Sequence, residues 1–240
     1  MRNEILLIMT LFVLYGSILV WFRLFGTTGL MCFTVLATIA ANIEVLILVN
    51  AFGMEMTLGN ILFACTFVVT DILSEVAGKK MANRAVGIGI ATSVLFLIVS
   101  QSWLLYQPSP NDFAQPSIRA IFSNTPRLML ASLLVYAIVQ VFDVWAYHKW
   151  WDFTTKRFGD SHRFLWVRNN GSTLISQLLN TILFTFAAFF GIYDLSTLLS
   201  IIVSSYIIFI VTSLADTPVV YLARRMTERG VVPGMVRESS

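Results

Sequence analysis

Charged side chains are scarce in this chain of 240 residues: only 12% are Asp, Glu, Lys or Arg, whereas soluble domains carry roughly 25%. Hydrophobic residues make up 57%, which excludes an ordinary water-soluble fold. Segments of about 20 apolar residues recur along nearly the whole length, and a helix of that size crosses the roughly 30 Å hydrocarbon layer of a bilayer. We therefore predict an all-α, polytopic transmembrane helical bundle of six to seven spans, formed by residues 1–240 as one membrane domain.

Cysteine and histidine are also rare, with two residues of each. Cys32 and Cys65 fall inside apolar segments, which speaks against a disulfide framework or a metal site. His148 and His162 share one basic region and have no ligand partners at useful spacing. The chain lacks a glycine-rich phosphate loop and the two-histidine helical motif of metalloproteases. We therefore expect no metal, no cofactor and no hydrolysis of nucleotides.

The basic residues are unevenly distributed between the apolar segments. Seven segments are long enough to span a membrane: residues 5–22, 30–49, 59–78, 85–106, 126–148, 169–190 and 198–222. The connections 50–58 and 191–197 contain no Lys or Arg, whereas 13 of the 16 basic residues lie at the opposite ends of the segments. The positive-inside rule then places the N-terminus outside the cell and residues 223–240 in the cytoplasm as a tail. In a six-span variant, the first segment lies along the membrane surface.

The net charge of +3 is explained by this orientation and by attraction to anionic lipid. We therefore expect the lipid bilayer as a partner and no nucleic acid.

Three aspartates lie near the inner ends of three apolar segments. Asp71, Asp143 and Asp216 are spaced 72 and 73 residues apart, and a basic residue follows each of them after six to eight residues. A carboxylate inside a membrane helix costs about 2.5 kcal/mol or more unless a partner compensates it. Three carboxylates at matching depth predict a polar site between helices. Three helical hairpins of similar design, each contributing one aspartate, would produce this pattern.

Other polar residues follow single helix faces. The sixth segment carries an amide and hydroxyl row at steps of three and four residues, from Asn169 to Thr181. On the third segment Asp71 and Glu75 lie one turn apart and share a face. We predict a substrate-binding site lined by Asp71, Glu75, Gln140, Asp143, Ser172, Thr173, Ser176, Gln177, Asn180 and Asp216.

Each of these features also has a purely structural explanation. Asp71 and Glu75 could pair with the lysines that end their segment, near the membrane surface. Asp143 lies close to the predicted end of its span and could cap the helix. Asp216 could hold a kink or an unwound turn at Pro218, because proline lacks an N–H and restricts the residue before it. The polar row on the sixth segment could serve interhelical hydrogen bonds alone, each worth roughly 0.6–2 kcal/mol.

Buried acids also suggest other classes of protein. Intramembrane aspartyl hydrolases need an acid dyad, but the small-residue loops expected around such aspartates are missing, so we expect a protein that is not an enzyme. Mixed acids, amides and rings suit an organic solute better than a file of ions, which disfavours a channel.

A flat polar heterocycle fits best, since one carboxylate accepts two adjacent N–H donors of a guanine-like edge. Vitamins and pterins fit as well, and the candidate stacking rings are Tyr136, Phe142, Trp145 and Tyr147.

Four segments resemble the queuosine precursor transporter family, a vitamin-uptake-like family of integral membrane proteins. They are residues 67–80 (FVVTDILSEVAGKK), 121–127 (IFSNTPR) running on to 140–144 (QVFDV), 166–177 (WVRNNGSTLISQ) and 216–218 (DTP). The resemblance implies a transporter in the bacterial inner membrane, and a homo-oligomer. The implied cargo is a 7-deazaguanine base, such as 7-cyano-7-deazaguanine or queuine, for salvage into the queuosine of transfer RNA. The alternative is a transporter or substrate-binding subunit for another small vitamin-like heterocycle.

Two positions depart from the family pattern, which often has aspartate at the position of Asn180 and lysine near that of Phe209. If these positions face each other, the chain has two neutral residues in place of a buried ion pair, and no lone charge remains. A mechanism that uses such a pair for proton coupling would then not apply here. The first segment, 5–22, is an addition to the shared region.

Overall fold

In the computed structural model, which describes residues 2–123, 126–159 and 164–235, helices account for most of the chain. The elements within these ranges are α1 (Arg2–Glu44), β1 (Leu48–Ala51), β2 (Met54–Thr57), α2 (Gly59–Ala77), α3 (Lys79–Trp103), α4 (Gln115–Ser123), α5 (Pro126–Phe158), α6 (Leu165–Phe189) and α7 (Leu195–Glu228). All the helices except α4 are long and apolar enough to cross a membrane. The predicted all-α membrane bundle is therefore confirmed.

The longest helix, α1, reverses its direction at Gly26. This residue has φ 58° and ψ −143°, a conformation that glycine adopts readily because it has no Cβ. Asn3 Nδ2 donates a hydrogen bond to Asn50 O at 2.9 Å, whereas a straight helix of this length would separate its ends by roughly 60 Å. The rings of Trp21 and Phe33 lie 6.0 Å apart. The helix therefore folds back into two arms, residues 2–25 and 27–44.

Within the described ranges the bundle thus contains seven long helical arms, and successive arms run in opposite directions. The connections are short except for residues 104–125, which include α4. We call the end with strands β1 and β2 the hairpin end, and the end with Gly26 and the residues after α7 the tail end. The first arm packs against α7, because the buried Tyr15 hydroxyl donates to Thr212 O of that helix at 3.0 Å. This packing argues against the variant in which the first segment lies along the membrane surface.

The basic clusters assigned to the cytoplasm flank the tail end of the helices wherever the structure describes them. They include Lys79 at the start of α3, Lys149 in the last part of α5 and Arg224 near the end of α7. Arg163 and Arg237, which belong to the same count, lie outside the described residues, as does His162.

Several helices end at other residues than the predicted membrane spans. The second segment ends as a helix at Glu44 and not at 49, because its last residues enter an antiparallel hairpin that pairs Leu48 with Thr57. A short apolar run does not distinguish a strand from a helix. Helix α5 continues ten residues beyond 148, to Phe158, and α7 continues six residues beyond 222. Hydropathy marks the hydrocarbon layer, whereas backbone hydrogen bonding continues beyond it.

Helix α2 lies at the centre of the bundle, where 14 of its 19 residues are buried. It contacts α1, α3, α5 and α7. Helix α6 has two different faces, since its polar row is buried while Ile175, Leu178 and Ile182 are 47%, 39% and 37% exposed. Exposed apolar residues on a membrane helix contact lipid, so the polar row faces the interior. These two helices bring the polar residues of the sequence together.

Candidate functional site

The three aspartates converge inside the bundle. Asp71 on α2, Asp143 on α5 and Asp216 on α7 are 1%, 0% and 2% exposed. Asp71 interacts electrostatically with both of the other carboxylates. The fold therefore places together the three groups that the sequence placed at a matching depth on separate helices.

The polar row of α6 contributes donors to this carboxylate cluster. Thr173 Oγ1 donates a hydrogen bond to Asp71 Oδ2 at 2.9 Å, and Asn169 Nδ2 donates to Asp216 Oδ1 at 2.7 Å. Ser176 lies beside Asp143, but their atoms do not have hydrogen-bond geometry. Helix α6 thus faces all three aspartates along about two turns.

Several polar atoms of this interior have no hydrogen-bond partner among the described residues. They are Asp71 Oδ1, both carboxylate oxygens of Asp143, Asn169 Oδ1, Ser176 Oγ and Gln177 Oε1. Native interiors leave few buried polar groups unpaired, and each one costs about 1–3 kcal/mol. Five of these six atoms are carboxylate or amide oxygens that only accept hydrogen bonds from a partner. The site is therefore suited to a ligand that carries several N–H donors.

Two of the predicted site residues use their polar groups within the protein. Gln140 Nε2 donates to Thr66 Oγ1 at 2.6 Å and its Oε1 accepts from Thr70 Oγ1 at 3.4 Å, which joins α5 to α2. The Ser172 hydroxyl donates to Arg168 O of its own helix at 2.8 Å. Both residues are buried. They contribute to the walls of the interior rather than to its unpaired acceptors.

Glu75 lies one turn from Asp71 on α2, toward the tail end, and its carboxylate is fully engaged. Arg168 Nη2 lies 2.6 Å from Glu75 Oε1 and Arg168 Nε lies 3.0 Å from Oε2, which makes a two-point ion pair. The Tyr147 hydroxyl donates to Glu75 Oε2 at 2.8 Å, and Arg224 Nη1 lies 3.3 Å from Oε1. We call Glu75, Tyr147, Arg168 and Arg224 the Glu75 cluster. It connects α2, α5, α6 and α7 at the tail end.

The contacts of Glu75 differ from both interpretations of its sequence position, as a substrate-binding residue and as a partner of the lysines that end its segment. Its partners are Arg168 and Arg224 and not Lys79 or Lys80 at the end of its own segment. Arg168 was counted only as a residue that sets the orientation, although it immediately precedes the polar row of α6. Its guanidinium lies 4.2 Å from the ring centre of Trp151, and its side chain is 0% exposed. The position of this cationic residue next to the polar row of α6 was the sequence signal that could have indicated its burial.

The structure also decides two of the structural alternatives. Asp143 does not cap its helix, because α5 continues for 15 residues beyond it and the side chain is fully buried. Asp216 does not lie at a broken helix, because α7 continues through Pro218. The neighbouring Thr217 Oγ1 accepts a hydrogen bond from Asn170 Nδ2 at 2.7 Å, so contacts with α6 support this part of α7.

Nearer the hairpin end, a narrow cavity opens between α1, α2, α5, α6 and α7. We call it the vestibule, and the residues that line it include Asn60, Phe63, Ser132, Asn180, Phe184 and Phe209. Asn180 and Phe209, the two departures from the family pattern, line this same cavity. A smaller crevice beside it is lined by Thr38, Asn42, Thr66, Ser93 and Tyr136, among others. The sequence analysis missed the polar ones among them, such as Asn60, Thr66 and Ser132, because each is a single polar residue in an apolar segment. Phe63 and Phe184 were missed because an apolar residue in an apolar segment gives no signal.

The predicted stacking rings are distributed between different places. Tyr147 belongs to the Glu75 cluster and Tyr136 lines the crevice. Trp145 is 47% exposed and lies against Phe142, with ring centres 5.6 Å apart. Phe63, which the sequence analysis did not single out, lines both the vestibule and the crevice.

Comparison with known proteins assigns the family. Residues 57–223 match the family described as "Putative vitamin uptake transporter". The chain is 38% identical over 209 residues to the "Probable queuosine precursor transporter" of Bacillus subtilis (strain 168), which covers 87% of this chain and 89% of that protein. It is 27% identical over 157 residues to the "Queuosine precursor transporter" of Escherichia coli (strain K12), with 65% and 66% covered. No solved structure matches the chain. The match over residues 57–223 and the 38% identity show that the chain belongs to this family of vitamin uptake transporters, and it is similar to two queuosine precursor transporters.

Proposed function

We propose that this protein imports a queuosine precursor, a 7-deazaguanine base such as 7-cyano-7-deazaguanine or queuine, across the bacterial inner membrane. The observation that carries the proposal is the convergence of Asp71, Asp143 and Asp216 in an interior that presents unpaired hydrogen-bond acceptors. The names of the two relatives, both queuosine precursor transporters, support the choice of cargo. The imported base would serve salvage into the queuosine of transfer RNA.

The chemistry of the base matches the acceptors of the site. A guanine-like edge presents a ring N–H and an amino N–H side by side, and one carboxylate accepts both. Asp143 suits this role best, because neither of its oxygens has a donor within the described structure. Asp71 Oδ1 and Gln177 Oε1 are further acceptors for the remaining N–H groups. Hydrogen bonds to charged groups contribute about 1.5–3 kcal/mol each.

The two ends of the bundle support alternating access. We assign the hairpin end to the outside and the tail end to the cytoplasm, because the basic residues flank the tail end. In this orientation the vestibule faces outward and the Glu75 cluster closes the inner end by connecting four helices. Import would then require that the Glu75 cluster separate while the outer ends of the helices approach each other, by a facilitated or an ion-coupled cycle.

Salvage in living cells tests the function and the cargo together. The host lacks both queuosine synthesis and queuosine precursor uptake, expresses this protein and receives one precursor at a time. We expect queuosine to reappear in the transfer RNA of cells that are fed the transported base. Asp71→Asn and Asp143→Asn should each abolish the recovery while the membrane level of the protein stays normal. Recovery at the parental rate in both variants would refute the carboxylate site.

A second candidate function follows from the family description, which names vitamin uptake. The chain would then carry another small vitamin-like heterocycle, or bind it as a subunit that serves a separate energising module. Uptake retained in a host without such modules would discard the subunit version. The absence of any salvage by 7-deazaguanine bases, with normal membrane insertion, would favour another heterocycle.

Two further properties belong to the same proposal. We expect a homo-oligomer, which crosslinking in the native membrane would detect as a multiple of the 26.9 kDa chain. We also expect transport without chemistry, so the base recovered from loaded vesicles should be identical to the base supplied. A chemically altered product would indicate an enzyme instead.

A further inference from the structure

The vestibule and the carboxylate cluster are separated by aromatic side chains on α2. Phe63, Phe67 and Asp71 follow each other at intervals of four residues, so they share one face of the helix. The rise of a helix places Phe63 about 12 Å from Asp71 along the axis. Phe67 is 0% exposed, and its ring centre lies 5.4 Å from that of Phe63. A solute in the vestibule is therefore not in contact with the aspartates.

Phe63 lines the vestibule and packs against aromatic rings of two other helices. Its centre lies 6.1 Å from that of Tyr136 on α5 and 6.2 Å from that of Phe209 on α7. It thereby connects three helices across the floor of the vestibule. Phe63 is only partly buried, so one side of the ring remains free to contact a molecule above it.

The vestibule also has its own binding chemistry, which differs from that of the aspartates. None of the described residues that line it carries a charge. Asn180 is 7% exposed, and its side-chain amide makes no hydrogen bond within the described part of the chain. An amide both donates and accepts, so it matches the amide-like edge of a neutral base. Base–aromatic stacking contributes about 1–3 kcal/mol per base, and Phe63, Phe184 and Phe209 line the same cavity as the amide.

We propose that the vestibule, which has about 40 Å³ of free space in this conformation and widens when its aromatic side chains rotate, is a separate first binding site for the transported base, occupied before Phe63 moves aside and admits the base to the aspartates. The ligand is a neutral planar heterocycle with an amide-like edge. Asn180 binds this edge, and Phe63 stacks on the ring. This inference rests on the proposed function and adds a second binding site to the same transport path.

Equilibrium binding of 7-cyano-7-deazaguanine to the purified full-length protein distinguishes binding in the vestibule from binding at the carboxylate cluster. The double variant Asp71→Asn with Asp143→Asn should transport nothing and still bind the base, about tenfold or more weakly than the parent. Adding Asn180→Leu to this double variant should remove the remaining binding. Adding Phe184→Leu to the double variant instead provides a second test. It should weaken the remaining binding, since it removes a ring of the vestibule and leaves the polar network unchanged.

Uptake kinetics provide an independent test in the protein with intact aspartates. Asn180→Leu and Phe63→Leu should each raise the base concentration for half-maximal uptake about tenfold. The matched control is Phe12→Leu, because Phe12 lies on α1 with 73% of its surface exposed and outside the vestibule. This control should retain the parental kinetics.

The results distinguish failure of this inference from failure of the proposed function. If the parent binds and transports the base but the double aspartate variant retains no binding, the separate site is refuted and the function stands. Parental kinetics in both Asn180→Leu and Phe63→Leu would refute it as well. If the parent neither binds nor transports the base, the proposed function and the first binding site are both refuted.

Discussion

Glu75 and Asp143 are both buried acids in the same bundle, yet their surroundings are opposite. Glu75 accepts hydrogen bonds from Tyr147 and Arg168 and pairs with Arg224. Neither oxygen of Asp143 has a donor within the described residues. Burial alone therefore does not identify a binding residue. The difference in partners separates an acid that connects four helices from one without a hydrogen-bond partner, which we propose binds the transported base.

The physical reason lies in the cost of removing a charge from water. A buried ion pair is tolerated only when its geometry and additional hydrogen bonds compensate for desolvation. The Glu75 cluster meets this condition with two arginines and a tyrosine. The aspartates have amides and hydroxyls around them and no described cation in hydrogen-bond contact. We expect the two regions to respond differently to the same kind of substitution.

The largest effect is expected from Arg168→Met, which leaves Glu75 buried with a single partly exposed arginine. Breaking a buried pair by removing one partner costs about 3–5 kcal/mol. Thermal unfolding in detergent should show a marked loss of stability. Arg157→Met is the matched control, since Arg157 is exposed near the end of α5, and it should unfold like the parent. Parental stability in Arg168→Met would show that the Glu75 cluster does not hold the helices together.

The aspartates should show the reverse pattern, with loss of transport and retained stability. Asp71→Asn and Asp143→Asn each remove a charged acceptor, so uptake should fall at least tenfold, because such a hydrogen bond contributes about 1.5–3 kcal/mol. Asp152→Asn is the control on α5, where Asp152 is exposed. Uptake of the labelled base and thermal unfolding are measured on the same preparations. Unfolding of both aspartate variants would show that these residues are structural.

A smaller effect is expected from Tyr147→Phe, which removes one hydrogen bond to Glu75 and leaves both arginines in place. The expected loss of stability is about 1.5–3 kcal/mol, because the bond is made to a charged carboxylate. Tyr221→Phe on α7 is the matched control, because Tyr221 is 42% exposed. A loss as large as that of Arg168→Met would mean that the tyrosine and not the arginine dominates the cluster.

The smallest effect is expected from Arg224→Gln. Arg224 lies 3.3 Å from Glu75 and is 18% exposed, so water screens part of its interaction. Exposed and partly exposed ion pairs contribute about 0–1 kcal/mol. Unfolding should therefore occur close to the parental temperature. A loss of stability equal to that of Arg168→Met would show that both arginines contribute equally to the stability of the bundle.

The fold was predictable from the sequence because hydrophobic length is a direct consequence of bilayer thickness. The convergence of the aspartates was predictable for a related reason, since unpaired carboxylates at one depth must avoid lipid. The role of Glu75 was not predictable, because its partner Arg168 lies 93 residues away and no local spacing relates the two. The β-hairpin and the vestibule depend on how several helices approach each other, which single-segment patterns do not determine.

Binding of 7-cyano-7-deazaguanine to purified Asp143→Asn, compared with the parent and with Asp152→Asn, tests the central claim most directly. If unpartnered carboxylates inside the membrane hold the base, its dissociation constant rises at least tenfold in Asp143→Asn and stays parental in Asp152→Asn. Equal affinity in all three proteins would show that the base is held elsewhere.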